Sequence, residues 1–187
     1  MAIRSLKTGQ FSRSTLVGNP VIMPGSYESI ATVSVGSGGA SSVEFTSIPS
    51  TYTHLQIRGF MKLSTADNLI LRMNSDTGTN YSWHYLFGSG SAASVGAGTS
   101  DTSIISTYDP NVANTYAAIV FDILDYANTN KNKTTRLLTG IDTNGGGNVA
   151  LYSGLWRSTS AITSLTFRTF GSYNISQYSH FALYGVN

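Results

Sequence analysis

The sequence predicts an all-β protein, a jelly-roll-like sandwich of two sheets that follows an extended N-terminal arm. Stretches rich in β-branched and aromatic residues recur about every ten residues, separated by Gly, Asn, Asp and Ser, which favour turns. No window shows helical spacing of apolar residues without Gly, Pro or β-branched interruptions. A chain of 187 residues, 41% hydrophobic, can bury one core, so we expect an arm at 1–26 and one β-sandwich domain at 27–187.

The arm holds the basic excess of the chain. Residues 1–26 contain three basic residues and no acidic one, whereas the rest of the chain is close to neutral. Its apolar side chains are more numerous than a solvated linker needs, and such groups usually lie on a surface. A frayed basic tail is the alternative, and three spaced charges are too few for a nucleic-acid site. We expect the arm to dock on a partner protein through Arg4, Leu6, Lys7, Phe11, Arg13 and Leu16.

The first strands follow from alternation and from glycine. Residues 30–35 alternate apolar and polar side chains, and glycines at 36–39 lead into a second extended segment at 42–48. We therefore expect these two strands to form a hairpin. The next strand, at 53–62, places Leu55, Ile57 and Met61 on its inward face. Beyond it we expect strands at 69–73 and 81–87, a low-complexity surface loop at 88–100, and a brief strand at 104–105.

The longest apolar run, at residues 115–126, predicts the central strand. It is rich in β-branched and aromatic residues and has no Gly or Pro. Ile119, Phe121 and Ile123 share one face. An Asn-rich turn connects this strand to another at 133–142, so the two form a hairpin on which the sheet is organised. Later strands are expected at 149–156, 162–169 and 178–186.

No group of residues indicates a catalytic centre, and we expect the protein not to be an enzyme. The three histidines fall in three separate predicted strands, and only two glutamates are present. Two loops rich in Asp, Asn and Gly, at 76–80 and 142–148, could hold a hard cation but contain few acids. The chain has no cysteine, which excludes disulfides and thiolate metal sites. We expect no metal and no cofactor.

The composition is typical of a hydroxyl-rich surface. Charged residues make up 11% of the chain, well below the roughly 25% of an average soluble domain, while there are 27 Ser and 22 Thr. No apolar run reaches the roughly 20 residues of a membrane span, and the N-terminus lacks the apolar middle of a secretory signal. We therefore expect synthesis in a cytoplasm and no association with a membrane.

The segment at 81–87 has the densest aromatic content. In an extended conformation Tyr81, Trp83 and Tyr85 share one face with Phe87. One interpretation is a glycan-binding platform of exposed rings, with Tyr81, Trp83, Tyr85 and Trp156 as the contacting residues. The alternative is that the rings close one side of the sandwich or are buried in a subunit interface, where each contributes a few kcal/mol.

Five stretches resemble a known family. They are SYESIATVSVGSGG (26–39), IPSTYTHLQIR (48–58), NSDTGTNYSWH (74–84), DILDYANTNK (122–131) and FALYG (181–185). These stretches are similar to small virion structural proteins of tailed bacteriophages, of the marine and cyanobacterial phage type. The resemblance runs from about Tyr27 to the C-terminus, and the arm matches least.

The resemblance implies a structural function in a virion. Together with the arm and the sandwich, it favours a capsid decoration or cement protein that docks through its arm and projects the sandwich. The expected partners are other virion proteins, either the major capsid protein or connector and tail proteins, and further copies of the chain in a homotrimer. The protein would be made in the host cytoplasm and located in the virion. The alternative is a tail, baseplate or fibre module that binds host-surface glycan.

Overall fold

The computed structural model describes residues 14–16, 19–21 and 26–187, with side chains from Ser26 onward. Two antiparallel sheets, of eight and four strands, form a sandwich. The described strands are β1 (Ser14–Leu16), β2 (Asn19–Val21), β3 (Tyr27–Ser34), β4 (Ser42–Phe45), β5 (His54–Met61), β6 (Asp67–Met73), β7 (Tyr81–Gly88), β8 (Ala93–Asp101), β9 (Ile104–Asp109), β10 (Ala117–Leu124), β11 (Lys133–Asp142), β12 (Gly147–Trp156), β13 (Leu165–Thr169) and β14 (His180–Val186). The described part of the chain contains no helix that could span a bilayer.

The strand order confirms the predicted jelly-roll-like sandwich. The large sheet runs β3-β14-β5-β10-β11-β12-β7-β8, and the small sheet runs β4-β13-β6-β9. The first four strands of the large sheet and the four of the small sheet interleave along the chain as in a jelly roll. Two inserted hairpins, β7-β8 and β11-β12, lengthen the large sheet on one side. The small sheet ends with β9, which lies over β11, β12 and β7, so part of the inner face near β8 is left open.

The central hairpin is confirmed. Strands β10 and β11 pair with Phe121 opposite Leu137, and their side chains alternate between buried and exposed positions. Ile119, Phe121 and Ile123 are at most 2% exposed and pack in the core between the sheets. Each such side chain contributes roughly 1.5–3 kcal/mol through burial. The apolar run at 115–126 and the Asn-rich turn after it therefore predict these two strands correctly.

The expected hairpin around residues 36–39 is wrong. Strand β3 pairs with β14 in the large sheet, whereas β4 pairs with β13 in the small sheet. Residues 36–39 therefore cross from one sheet to the other. Gly39 has φ +76°, and a Cβ on it would lie 2.8 Å from the carbonyl oxygen of Ile175, so glycine is needed where this crossing passes the neighbouring backbone. A glycine turn fits both arrangements, and only the distant partner strands decide between them.

The expected loop at 88–100 is also wrong in most of its length. Residues 93–101 form β8, which pairs with β7 and is the edge strand of the large sheet. Its small residues do not reflect flexibility, because Gly96 and Gly98 lie beneath the rings of Tyr85 and Trp83. Glycine in a strand often marks such a close approach.

Little of the predicted arm at 1–26 is described. The two short strands β1 and β2 pair as an antiparallel hairpin, with Ser14 opposite Val21. The first strand of the sandwich, β3, begins at Tyr27. All six of the expected docking side chains and much of the arm's backbone lie outside the described part of the chain, so the docking prediction stays a prediction.

Candidate functional site

One aromatic pair is enclosed in the core. Tyr81 of β7 lies directly opposite Trp156 of β12, and their ring centroids are 6.4 Å apart. The two side chains are only 0% and 3% exposed. The Tyr81 hydroxyl accepts a hydrogen bond from the Met73 amide at 3.0 Å, and the Trp156 indole donates to Asp76 at 2.7 Å. The expectation that Tyr81 and Trp156 are open to a glycan is therefore wrong.

Asp76 explains why this end is closed. Its carboxylate accepts hydrogen bonds from the Gly78 amide at 2.8 Å, from Asn80 at 2.9 Å and from Trp156. Burial by itself would raise the pKa of Asp76, but these three hydrogen bonds outweigh it and hold the pKa below its usual value. The sequence offers the loop at 76–80 as a cation site. Its only carboxylate instead stabilises the turn of the loop and binds the buried Trp156.

A second aromatic group lies further along β7 and is partly open. The rings of Trp83 and Tyr85 lie side by side, with centroids 5.9 Å apart and planes within 9°. Both rings lie close over β8: a Cβ on Gly98 would come within 2.4 Å of the Trp83 ring, and one on Gly96 within 2.5 Å of the Tyr85 ring. The Trp83 indole donates to the carboxylate of Asp101 at 2.6 Å. We call these two parallel rings the aromatic strip.

The aromatic strip forms one wall of a groove of about 300 Å³ between the large sheet and the edge of the small sheet. The small sheet supplies Asn68 of β6 and Tyr108 of β9, which lie opposite each other in register. The lining side chains are Asn68, Trp83, Tyr85, Phe87, Ser94, Ile105, Tyr108 and Tyr152. None of these carries a formal charge at neutral pH, so the groove suits a neutral ligand.

Sequence reasoning missed Tyr152 as a site residue. It lies on β12 opposite Tyr85, with ring centroids 5.5 Å apart, and is only 4% exposed. Burial raises the pKa of Tyr152 to about 12, so its hydroxyl is neutral at ordinary pH. Alternation in β12 indicates that Tyr152 faces inward, but the sequence does not show that Tyr85 is its neighbour.

The outer face of the large sheet carries a second candidate surface. Five apolar side chains lie opposite one another on five neighbouring strands, in the order Val120, Leu138, Leu151, Leu86 and Val95. Each is between 39% and 77% exposed. At the usual strand spacing this row, which we call the apolar row, is about 20 Å long.

The neighbouring row on the same face contains a projection between two hollows. Val149, 59% exposed, lies between Gly140 on one side and Gly88 on the other. The missing side chains leave shallow apolar hollows of about 260 Å³ and 300 Å³. On the other side of the apolar row the face becomes polar, with an ion pair of 2.9 Å between Arg136 and Asp122.

The three histidines do not come together, whereas Glu44, Arg72 and Arg168 line one hydroxyl-rich groove beside the small sheet. His54 contacts Asp125, His180 accepts or donates a hydrogen bond with Ser34 at 2.9 Å, and His84 is exposed on the outer face. Among the described residues, no group of three or more His, Asp or Glu could hold a metal ion. The residues at 142–148 form an ordinary turn, in which Asp142 accepts a hydrogen bond from the Asn144 amide at 2.8 Å.

The predicted docking residues Arg4, Leu6, Lys7, Phe11 and Arg13 lie outside the described residues. Leu16 lies in β1, of which only the backbone is described. Comparisons with protein-family models, with curated proteins and with solved structures found no match. The resemblance to phage virion proteins therefore stays a prediction.

Proposed function

We propose that the chain is a structural protein of a tailed-phage virion, in the first place a capsid decoration protein that acts through contact surfaces and not through catalysis. In this proposal the sandwich associates with further copies of itself through the outer face of the large sheet. The arm then docks the assembly on another virion protein. The observation that carries the proposal is the uncharged, exposed apolar row.

The size of the apolar surface supports an interface. Phe60 of β5 lies opposite Ala118 on the same outer face. The five residues of the row, with Val149 and Phe60, together expose on the order of 600 Å² of apolar surface, the upper end for a monomeric protein. That is close to the roughly 800 Å² that one partner contributes to a standard protein interface. Exposing such a surface to water permanently would favour nonspecific aggregation.

The form of the surface supports a second copy of the chain as the occupant. The row and its hollows contain no charge, so two copies can face each other without burying an unpaired ion. Each copy offers both a projection at Val149 and hollows at Gly88 and Gly140, which makes the face complementary to itself. The adjoining edge strand β8 has no charged residue before Asp101, and such an edge readily contacts another chain.

Self-association is tested by placing one charge on the row. Leu138→Asp should shift the full chain from an oligomer to a monomer in sedimentation or light-scattering measurements, because the carboxylate would be buried without a partner. Ser153→Asp is the matched control, since it adds the same charge to the polar part of the same face. A wild-type chain that is monomeric at high concentration would contradict this part of the proposal.

Docking is tested with particles. The full-length chain should bind phage particles that lack it, and a chain without residues 1–20 should keep its unfolding transition but lose that binding. Retained binding by the shortened chain would contradict the docking function of the arm. Electron microscopy of labelled virions then distinguishes a position on the head from one on the tail.

The second candidate function is a tail, baseplate or fibre module that binds host-surface glycan. The open aromatic groove favours it, although with Trp83 and Tyr85 as contacting residues and without Tyr81 and Trp156. A host-cell adsorption assay separates the two functions. A decoration protein should bind particles and ignore cells, whereas a glycan module should bind cells.

A further inference from the structure

The groove beside the aromatic strip has the properties of a ligand site. It is concave, mostly apolar and lined by a few polar atoms, which is typical of small-molecule sites. Its volume of about 300 Å³ is enough for one sugar ring with part of a second. It lies on the inner side of the large sheet and is thus separate from the apolar row on the outer side.

The aromatic strip provides a flat surface for stacking. The ring planes of Trp83 and Tyr85 are nearly parallel, within 9°, and both rings lie close to glycines of β8. The face of an aromatic ring is electron-rich and attracts groups with a partial positive charge. The C–H bonds on one side of a pyranose ring present such a charge over an area similar to that of an aromatic ring.

Unpaired hydroxyl groups line the groove next to this strip. Tyr152 is more than nine-tenths buried as a residue, and among the described residues its hydroxyl makes no hydrogen bond but is still reached by solvent. The hydroxyls of Tyr85 and Tyr108, which also line the groove, make none with the described residues either. Hydroxyl groups that face a groove without a partner in the protein are free to form hydrogen bonds with a ligand or with water there.

The polar atoms of the groove suit a polyhydroxylated ligand. A neutral tyrosine hydroxyl both donates and accepts a hydrogen bond, and the amide of Asn68 does the same through two atoms. Sugar hydroxyls need such mixed partners. Anionic ligands find no basic side chain here, because the lining contains no Lys, Arg or His. The nearby carboxylate of Asp101 is engaged by the Trp83 indole.

We infer that this groove binds a neutral pyranose, with one face of the sugar stacked on Trp83 and Tyr85 and its hydroxyls bonded to Tyr152, Tyr108 and Asn68. Sugar binding at this groove would give the ligand class of the second candidate function. It does not depend on whether the protein lies on the head or on the tail of a virion.

The test uses the full chain and four methyl glycosides: glucoside, galactoside, mannoside and N-acetylglucosaminide. Saturation-transfer NMR should detect binding of at least one, and glucuronate should bind at least about tenfold more weakly. Trp83→Ala should abolish the signal. Tyr152→Phe, which removes one oxygen and leaves the fold intact, should weaken binding about tenfold. Phe60→Ala removes an exposed ring from the other face of the same sheet and should leave sugar binding unchanged.

Two results would overturn the inference. One is the absence of binding for every glycoside at millimolar concentration. The other is unchanged affinity in both Trp83→Ala and Tyr152→Phe. Two variants separate this test from that of the proposed function. Leu138→Asp should disrupt self-association and leave sugar binding intact. Trp83→Ala should abolish sugar binding and leave self-association intact.

Discussion

Strands β7 and β12 carry two aromatic pairs whose surroundings differ. Tyr81 lies opposite Trp156, and four residues along the strand Tyr85 lies opposite Tyr152. All four rings point to the same side of the large sheet, and three of the four are almost fully buried. In the first pair each polar atom has a partner, whereas the two hydroxyls of the second pair have none among the described residues.

The difference shows that a loop, and not the aromatic pattern, decides which pair can bind a ligand. The loop at 74–80 closes over the first pair because Asp76 accepts the Trp156 indole. The second pair, about 13 Å further along the strands, lies beside the edge of the small sheet, where no loop supplies partners. One pair therefore stabilises the fold, and the other is available to bind a ligand.

Removing the carboxylate that closes the first pair should have the largest effect. Asp76→Ala leaves the Trp156 indole, the Gly78 amide and the Asn80 side chain without their acceptor, so we expect a loss of about 3 kcal/mol in the free energy of unfolding. Urea denaturation measures it. Asp142→Ala is the matched control, because that aspartate also caps a turn but is exposed, and it should cost less than about 1 kcal/mol.

A smaller effect is expected beneath the aromatic strip. Gly98→Ala adds a Cβ within 2.4 Å of the Trp83 ring and 2.2 Å of the Asp101 carboxylate, so the ring must swing out and lose its hydrogen bond. We expect a loss of about 1–2 kcal/mol and a red shift of tryptophan fluorescence. Ala97→Val, one residue away on the opposite face, should do neither. An unshifted spectrum in Gly98→Ala would contradict the described position of the ring.

The sequence predicts the fold where the pattern is local. Strands β10 and β11 follow from local signals: β10 is a run of β-branched and aromatic residues, and an Asn-rich turn leads into β11, whose inward side chains nevertheless include Lys133, Thr135 and Thr139. The crossing at 36–39 does not, because its glycines are compatible with a hairpin and the pairing with β13 and β14 involves distant residues. Strand β8 is missed for another reason: it has few apolar residues and is held by the rings that cover it.

The candidate site is predictable only in part, because contacts between residues far apart in the sequence decide which side chains are buried and which become neighbours. Trp83 and Tyr85 are identifiable from their spacing on one strand. The burial of Tyr81 and Trp156 depends on Asp76, which is 80 residues from Trp156. Tyr152 joins the site only through the register of β12 against β7, which no local pattern encodes.

Acidic pH should reduce the contribution that Asp76 makes to the unfolding free energy at the closed pair, Tyr81 and Trp156. The pKa of Asp76 in the folded protein lies below its ordinary value of 3.8. Its stabilising effect is therefore complete above pH 3.8 and is lost as the pH falls through the folded pKa. The difference in unfolding free energy between wild type and Asp76→Asn should shrink on acidification. A difference that stays constant down to about pH 2 would show that the carboxylate charge is irrelevant to the closed end.

The smallest effect should come from the open pair. Tyr152→Phe removes a hydroxyl that has no partner among the described residues, so the unfolding free energy should stay within about 0.5 kcal/mol of wild type. Tyr81→Phe is the matched substitution at the closed end. It leaves the Met73 amide without its acceptor and should cost about 1 kcal/mol. If Tyr152→Phe cost as much as Tyr81→Phe, its hydroxyl would have a partner within the protein, and the distinction between a structural and a ligand-binding pair would fail.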